Sequence, residues 1–270
     1  MKGVRFARLK LEMARLRFHD ASKITKTCSI GGETFKVLAS NPRELLRIYM
    51  YMTREPDTVK WINEYVKPGD VFYDIGANTG LYSLLAAKRP NGHAEVYSFE
   101  PESQNYASLN QNVYLNGLSD NVKTFCLALS DASRIDSFYV HRYMFAGASI
   151  HQFGSATNHM GNPFSPVHQQ GMMGVSLDDL CFKYGLAFPA HIKIDVDGHE
   201  FAVIDGANKV LRDPRLQTVL IEITETPSRM GDIEDIFAKF RAGGFSLLKK
   251  APTGSVSTQS YNSIFSRRTT

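Results

Sequence analysis

Asp74, Gly76, Asn78 and Gly80 recur at alternate positions, and Glu100 follows twenty residues after the last of them. Residues Val71 to Ile75 suit a strand, the glycines a turn, and Leu81 to Arg89 a helix. Strand, glycine-rich turn and helix together build a ligand site beyond the strand ends of an open α/β sheet. Glycines let backbone and ligand approach closely, and a helix N-terminus favours an anionic group. A dinucleotide turn would carry glycine where Asn78 stands, to admit a pyrophosphate. Asn78 suits instead a ligand with one carboxylate, an amine and a nucleoside. Glu100 closes a second strand-like run, Glu95 to Phe99, where an acid can accept both hydroxyls of a ribose. Turn and acid together point to S-adenosyl-L-methionine, held by Asp74, Gly76, Ala77, Asn78, Gly80, Glu100 and Pro101. The alternative is an ordinary turn followed by a surface glutamate.

A second group of chemically capable residues lies in His191-Ile-Lys-Ile-Asp-Val-Asp-Gly-His-Glu200. Asp195, Asp197 and Gly198 resemble the start of a calcium loop. An EF-hand would need a further ligand two residues on and a glutamate at its twelfth position. His199 and Gly206 stand there, so calcium is rejected. Lys193 sits in an apolar strand, a costly place without a partner. Glu222, in the next strand, shares the predicament; the two are expected to pair or to reach the mouth of the site together.

These residues need an alternating α/β frame to bring them together. Ser29 to Leu38 reads as a hairpin turning at Gly31-Gly32, and Asn41 caps a following helix. Thr58 to Val66 is another helix, stopped by Lys67-Pro-Gly-Asp70. Ser103 to Leu115 is the helix after the second strand, and Val122 to Leu129 the third strand. Helices over Phe201 to Leu211 and Ile233 to Ala242 flank the strand Thr218 to Ile223. Phe245 to Lys249 and Tyr261 to Ser266 form a closing pair joined by 252–257.

Between Ser137 and Leu177 the pattern lapses. The forty-one residues contain no acid and one formal charge, Arg142, with His141, His151, His159 and His168 among them. Phe138 to Tyr143 reads as a strand. Long irregular segments in compact domains are lids or binding loops, or else disordered. Amide, hydroxyl and aromatic groups suit a neutral polyhydroxylated acceptor. The histidines are too irregularly spaced, and lack a carboxylate, for a metal site.

Five stretches carry a resemblance. Asp74-Ile-Gly-Ala-Asn-Thr-Gly80, Phe99-Glu-Pro-Glu102, Ser176-Leu-Asp-Asp-Leu180, Lys193 to Glu200 and Tyr261-Asn-Ser-Ile-Phe-Ser266 fall in the order found in FkbM-type methyltransferases. Gly147-Ala-Ser-Ile150 is similar to a short motif of that family. The resemblance runs from about Glu55 to Ser266. It implies a class I methyltransferase (Rossmann-like) fold, with a seven-stranded mostly parallel sheet whose last strand is antiparallel. It implies methylation of a hydroxyl on a sugar-containing or polyketide-type acceptor. It places Ala128 near the adenine and Asp195 at the cofactor end of the site. Asp197 and His199 become the candidates for orienting the acceptor or removing its proton, with His151 as an outside candidate. Asp197 stands where the family more often has glutamate, which keeps the charge and shortens the reach. Residues 1–54 form an N-terminal extension and 55–270 the methyltransferase domain, with 137–177 as its lid or acceptor-binding insertion.

Composition narrows the rest. A chain of 270 residues with 43% hydrophobic and 21% charged residues is ordinary for one globular domain with an appendage. A net charge of +4 does not argue for nucleic acid. Cys28, Cys126 and Cys181 show no metal spacing and cannot all pair, which suits a reducing cytoplasm. No apolar run approaches a membrane span. Met1 to Asp20 holds six Lys/Arg against Glu12 and Asp20, with Phe6, Leu9, Met13 and Leu16 at helical spacing. It reads either as a peripheral membrane or partner contact or as a helix packed on its own domain. Two other functions share parts of the pattern: a nucleotide-cofactor oxidoreductase, and a methyltransferase-like domain that binds without catalysis. Nitrogen methylation is disfavoured because no Asn/Asp-Pro-Pro-Tyr follows the fourth strand.

Overall fold

The computed structural model describes residues 10, 13, 24–51, 55–89, 92–141, 151–157, 162–226, 229–253 and 260–267. The helix expected over Met1 to Asp20, the motif Gly147 to Ile150, Arg142, His159 and the 254–259 connection fall outside them.

Strands β1 (Thr25–Ile30) and β2 (Glu33–Leu38) form the antiparallel hairpin, turning through Gly31 and Gly32 at φ 61° and 88°. Helix α1 (Pro42–Tyr51) starts at Asn41, whose Oδ1 accepts from the amides of Arg43 and Glu44. Helix α2 (Pro56–Tyr65) buries Trp61 and Ile62 against the main sheet. That sheet contains β3 (Val71–Ile75), β6 (Glu95–Phe99), β7 (Val122–Phe125), β12 (His191–Ile194), β13 (Thr218–Thr224), β14 (Phe245–Pro252) and β15 (Ser260–Arg267). Its order is β14-β15-β13-β12-β3-β6-β7, with β15 antiparallel to β13 and the pairs from β13 to β7 parallel. This is the seven-stranded, mostly parallel class I methyltransferase sheet. Strand order reverses beside β3, the place where open α/β sheets bind ligands.

One face of the sheet packs on α2, on α3 (Leu81–Ala87), which leads into the short antiparallel pair β4 (Lys88–Arg89) and β5 (Gly92–His93), and on α4 (Ser103–Leu115). The other packs on α5 (Leu177–Phe182), α6 (Glu200–Asp205) and α7 (Met230–Ala242). Side chains alternate between the two faces, as a strand requires. Ile192, Ile194, Val219 and Ile221 join the second core, while Leu220 joins the first. His191, Lys193 and Asp195 share the alternate set along β12 and beyond it.

Three expectations are corrected. The run Val122 to Leu129 is not one strand: after Phe125 the chain leaves the main sheet, and β8 (Ala128–Leu129) pairs with β11 (His168–Val175) instead. The segment from 137 to 177 is not simply irregular. With β9 (Arg134–Val140), β10 (Gln152–Phe153) and β8, the strand β11 forms a four-stranded sheet ordered β10-β9-β11-β8. Half of β11 is exposed, so its Gln-Gln-Gly-Met-Met-Gly sequence lacks the apolar alternation that marks a half-buried strand. The helix expected over Phe201 to Leu211 stops at Asp205. A Cβ on Gly206 would lie 2.1 Å from the Ser130 carbonyl oxygen, so glycine lets this chain end pack directly on the second sheet.

The second sheet is fastened to the first by two amides. Gln152 Nε2 donates to the Asp197 carbonyl at 2.6 Å, and Gln170 Nε2 to the Pro101 carbonyl at 2.9 Å. Among the described residues no helix is long and apolar enough to cross a membrane.

Candidate active site

The loops after β3, β6 and β12 and the inner face of the second sheet enclose one cleft of about 580 Å³, counting the part open to solvent. Gly76, Asn78, Glu100, Pro101, Ala128, Asp195, Asp197 and His199 line it. Eight of the sequence candidates, spread over more than one hundred and twenty positions, therefore meet in one place. The aromatic rings of Phe99, Phe138 and Phe153 and the side chain of Leu127 supply apolar wall.

Asp74, Ala77 and Gly80 support this wall from behind. Asp74 is buried on β3, where Oδ2 accepts from Ser83 Oγ at 2.6 Å. Gly80, at φ 86°, opens α3 and leaves room for the side chain of Leu109. Ala77 donates its amide to the Phe99 carbonyl at 3.0 Å, as Gly76 does at 2.9 Å, so the turn is tied to the end of β6.

Glu100 is buried at that same strand end. Its Oε2 accepts from the Asn78 amide at 2.8 Å, and its Oε1 from the Glu102 amide at 2.9 Å and Asn105 Nδ2 at 3.3 Å. Burial pushes this carboxyl up to about 7, against those three hydrogen bonds. A carboxylate offers about four acceptor positions, so one remains for a ribose hydroxyl. Glu102 caps α4 instead, accepting from the amides of Gln104 and Asn105.

Asn78 and Asp197 are the non-glycine residues with positive φ among those described, at 51° and 50°, and both line the cleft. Asn and Asp tolerate the left-handed region better than longer side chains do. This gives a backbone reason for the shorter acid at position 197. Arg229 steadies the same turn, donating to the Gly198 carbonyl at 3.1 Å and to Glu200 Oε2 at 3.3 Å.

The expected pairing of Lys193 takes a different form. Lys193 is 1% exposed, and its ion pairs run to Asp195 at 3.0 Å and to Asp74 at 3.8 Å. Glu222 on β13 accepts from Thr253 Oγ1 at 3.3 Å and feels the Lys193 charge more weakly than its acidic neighbours. Lys193 thus pairs with the acid on β3 and with the one just past the end of its own strand. Burial, then the Asp195, Glu55 and Asp197 carboxylates, push Glu222 up to about 9 from an ordinary 4.5. The folded protein then holds a proton that the unfolded chain releases, so stability falls as pH rises between these values, by up to about 1.4 kcal/mol per pH unit. Glu222→Gln is expected to lose this dependence and to melt higher than wild type at pH 8 but not at pH 5. Parallel melting curves against pH for the two proteins would refute it.

The two cleft histidines differ. His151 Nδ1 accepts from the His141 amide at 3.2 Å, and burial holds the ring near 4, hence neutral. Its proton is therefore on Nε2, which is buried and has no hydrogen-bond partner among the described residues. His151 is thus a hydrogen-bond donor through Nε2, and not the proton acceptor considered from sequence. His199 Nε2 lies 3.2 Å from Ser130 Oγ. Its ring is also held near 4 by burial, so it is half-buried and neutral rather than a solvated helix-end histidine. Ser130 was not singled out from sequence as a side chain with a role. Its one sequence signal is that it directly follows the Val122 to Leu129 run and stands two residues after Ala128.

Residues 74–247 match the Methyltransferase FkbM domain. The 31-O-demethyl-FK506 methyltransferase FkbM of Streptomyces tacrolimicus is 24% identical over 200 residues, covering 68% of this chain and 75% of that protein. The hexuronic acid methyltransferase AglP of Haloferax volcanii is 23% identical over 197 residues, covering 72% of each. Among solved structures, the methyltransferase FkbM of Methylobacillus flagellatus is similar with a TM-score of 0.46 at 13% identity, covering 81% of this chain and 52% of that one. The family match takes in the glycine turn, Glu100, the second sheet and the β12 loop, and the chain belongs to the FkbM-domain methyltransferases.

Proposed function

We propose that the protein transfers a methyl group to a hydroxyl of a sugar-containing or polyketide-type acceptor. The methyl donor is S-adenosyl-L-methionine. The observation that carries the reading is the buried Glu100 beside the Gly76 turn, facing an apolar wall in one cleft. A ribose fits the carboxylate, and a purine fits the Phe99, Leu127 and Ala128 surface. The residues present therefore fit the donor. Both named relatives support the acceptor class, one being named for methylating 31-O-demethyl-FK506 and the other for methylating hexuronic acid.

When bound, the donor supplies a methyl group on a sulfonium, already a good leaving centre. The protein's tasks are alignment, exclusion of water and removal of the hydroxyl proton. Alignment can supply roughly 7–11 kcal/mol of the barrier, and a positioned base adds about 10²–10⁴-fold. Asp197 and His199, on the β12 loop, serve the acceptor side. The sheet built largely from residues 137–177 covers it as a lid, and residues 55–270 make up the catalytic domain.

The test is calorimetric titration with S-adenosylhomocysteine. Wild type is expected to bind in the micromolar range. Glu100→Ala is expected to bind about thirty- to a hundred-and-fifty-fold more weakly, from loss of charge-assisted hydrogen bonding worth about 2–3 kcal/mol. An absence of binding by wild type, or tighter binding of NAD, would overturn the reading.

A further inference from the structure

We propose that Ser130 and Asp131 are positioning residues that fix His199 as its Nε2–H tautomer, leaving the Nδ1 lone pair as the proton acceptor of the cleft. The inference rests on the methyltransferase reading above and adds residues that the reading does not use.

The argument is a count of hydrogens. Asp131 Oδ1 lies 2.7 Å from Arg134 Nη1 and 2.8 Å from Ser130 Oγ. The Arg134 guanidinium, through its hydrogen bond, holds the Asp131 carboxyl below the usual range, so it is ionised and can only accept. The single hydroxyl hydrogen of Ser130 therefore points to Asp131. What Ser130 has left for His199 is a lone pair, so the hydrogen between Oγ and Nε2 must be the ring's own. Burial keeps His199 neutral, outweighing the nearby Asp131 charge and assisted by Arg134 and Arg229. A neutral imidazole with its proton on Nε2 carries a lone pair on Nδ1. Among the described residues nothing donates to that atom.

The parts are held firmly. The Ser130 amide donates to the Val175 carbonyl at 3.0 Å, and Gly206 packs on its carbonyl. Phe153 stands edge-to-face with the His199 ring, centroids 6.2 Å apart, and Arg134 lies 5.0 Å from the other partner, the Phe153 ring. Ring tilt and tautomer are thus set by the second sheet, while His199 itself comes from the β12 loop. In the reaction, the hydroxyl proton goes to Nδ1 as the acceptor oxygen bonds to the methyl carbon. The carbon–sulfur bond breaks and its electron pair stays on sulfur, leaving a neutral thioether. The imidazolium formed is steadied through Ser130 by the Asp131 carboxylate.

Long-range ¹⁵N–¹H correlation spectra of the histidine-labelled full chain test this, with His199→Gln identifying the resonances. Wild type is expected to show His199 as the Nε2–H tautomer alone. Asp131→Ala frees the Ser130 hydroxyl to turn towards the ring, so the single tautomer should give way to a mixture. Ser130→Ala should do the same. Asp131 is exposed and its surface ion pair contributes little to folding, so this variant stays folded. A wild-type ring in the Nδ1–H form, or an Asp131→Ala spectrum with the tautomer unchanged, would overturn the proposal. Titrating the same wild-type sample with S-adenosylhomocysteine reads the cofactor assignment separately, since the tautomer does not depend on it.

Discussion

Gly76→Ala is expected to destabilise the protein by about 2–5 kcal/mol and to weaken S-adenosylhomocysteine binding at least about a hundredfold. Gly76 has φ 77°, and a Cβ there would lie 1.9 Å from the Asp195 carbonyl oxygen. The left-handed conformation costs an alanine about 1–2 kcal/mol, and an overfilled site about 1–3 more. The clash is with backbone, which no side-chain rotation relieves. Either the glycine turn or the β12 loop must move, and each forms part of the cleft wall. A misplacement of about 1 Å can cost a hundredfold where ligand alignment is concerned. Gly117→Ala is the control: φ is 66° but nothing lies within 4 Å of its Cβ, so only the conformational cost should appear and binding should be unaffected. Equal midpoints and affinities for the two variants would contradict the expectation.

Lys193→Met is expected to cost about 3–5 kcal/mol at neutral pH, as breaking a buried ion pair by removing one partner does. It leaves Asp74 fully buried, with Oδ2 held by Ser83 and Oδ1 without a hydrogen bond among the described residues. Burial already raises the Asp74 carboxyl above its ordinary value, with the Lys193 charge the main opposing influence. Without Lys193 the carboxyl rises further and takes up a proton in the folded state. A raised carboxyl stabilises the fold below its folded pKa and loses that contribution as pH rises through it. The penalty should therefore be smaller at pH 5 than at pH 8. Urea unfolding at the two values measures it, with unchanged slope indicating an unchanged extent of unfolding. A penalty independent of pH would mean that Asp74 does not change its protonation.

The main sheet could be read because its strands announce themselves. Val71 to Ile75 and Glu95 to Phe99 are apolar or β-prone runs ended by turn chemistry, and the structure places their bounds where the sequence suggests. The candidates on the first turn and on Glu100 were legible for the same reason, since spacing along one chain segment becomes geometry directly. The second sheet was not legible. Ala128 and Leu129 look like a continuation of β7, and only the pairing with Gly174 and Val175 shows that they belong elsewhere. Lys193 was recognisable as a buried charge, but its choice among Asp74, Asp195 and Glu222 depends on distances that no one-dimensional pattern carries. Ser130 and Asp131 were hidden for a related reason. Their chemistry exists only where the end of β8 meets the start of α6, sixty-nine residues from Ser130 to His199.

Both glutamine clasps of the second sheet, Gln152 and Gln170, end on main-chain carbonyls of the two loops that flank the cleft. Every residue type supplies a carbonyl at those points, so substitutions in the loops leave the anchor points intact. The sheet acts as a strut across the opening, held at both ends by main-chain atoms, while Ala128, Phe138, His151 and Phe153 on its inner surface form part of the cleft wall. Shortening either glutamine, by contrast, would release one end of the strut and change the width of the cleft on that side.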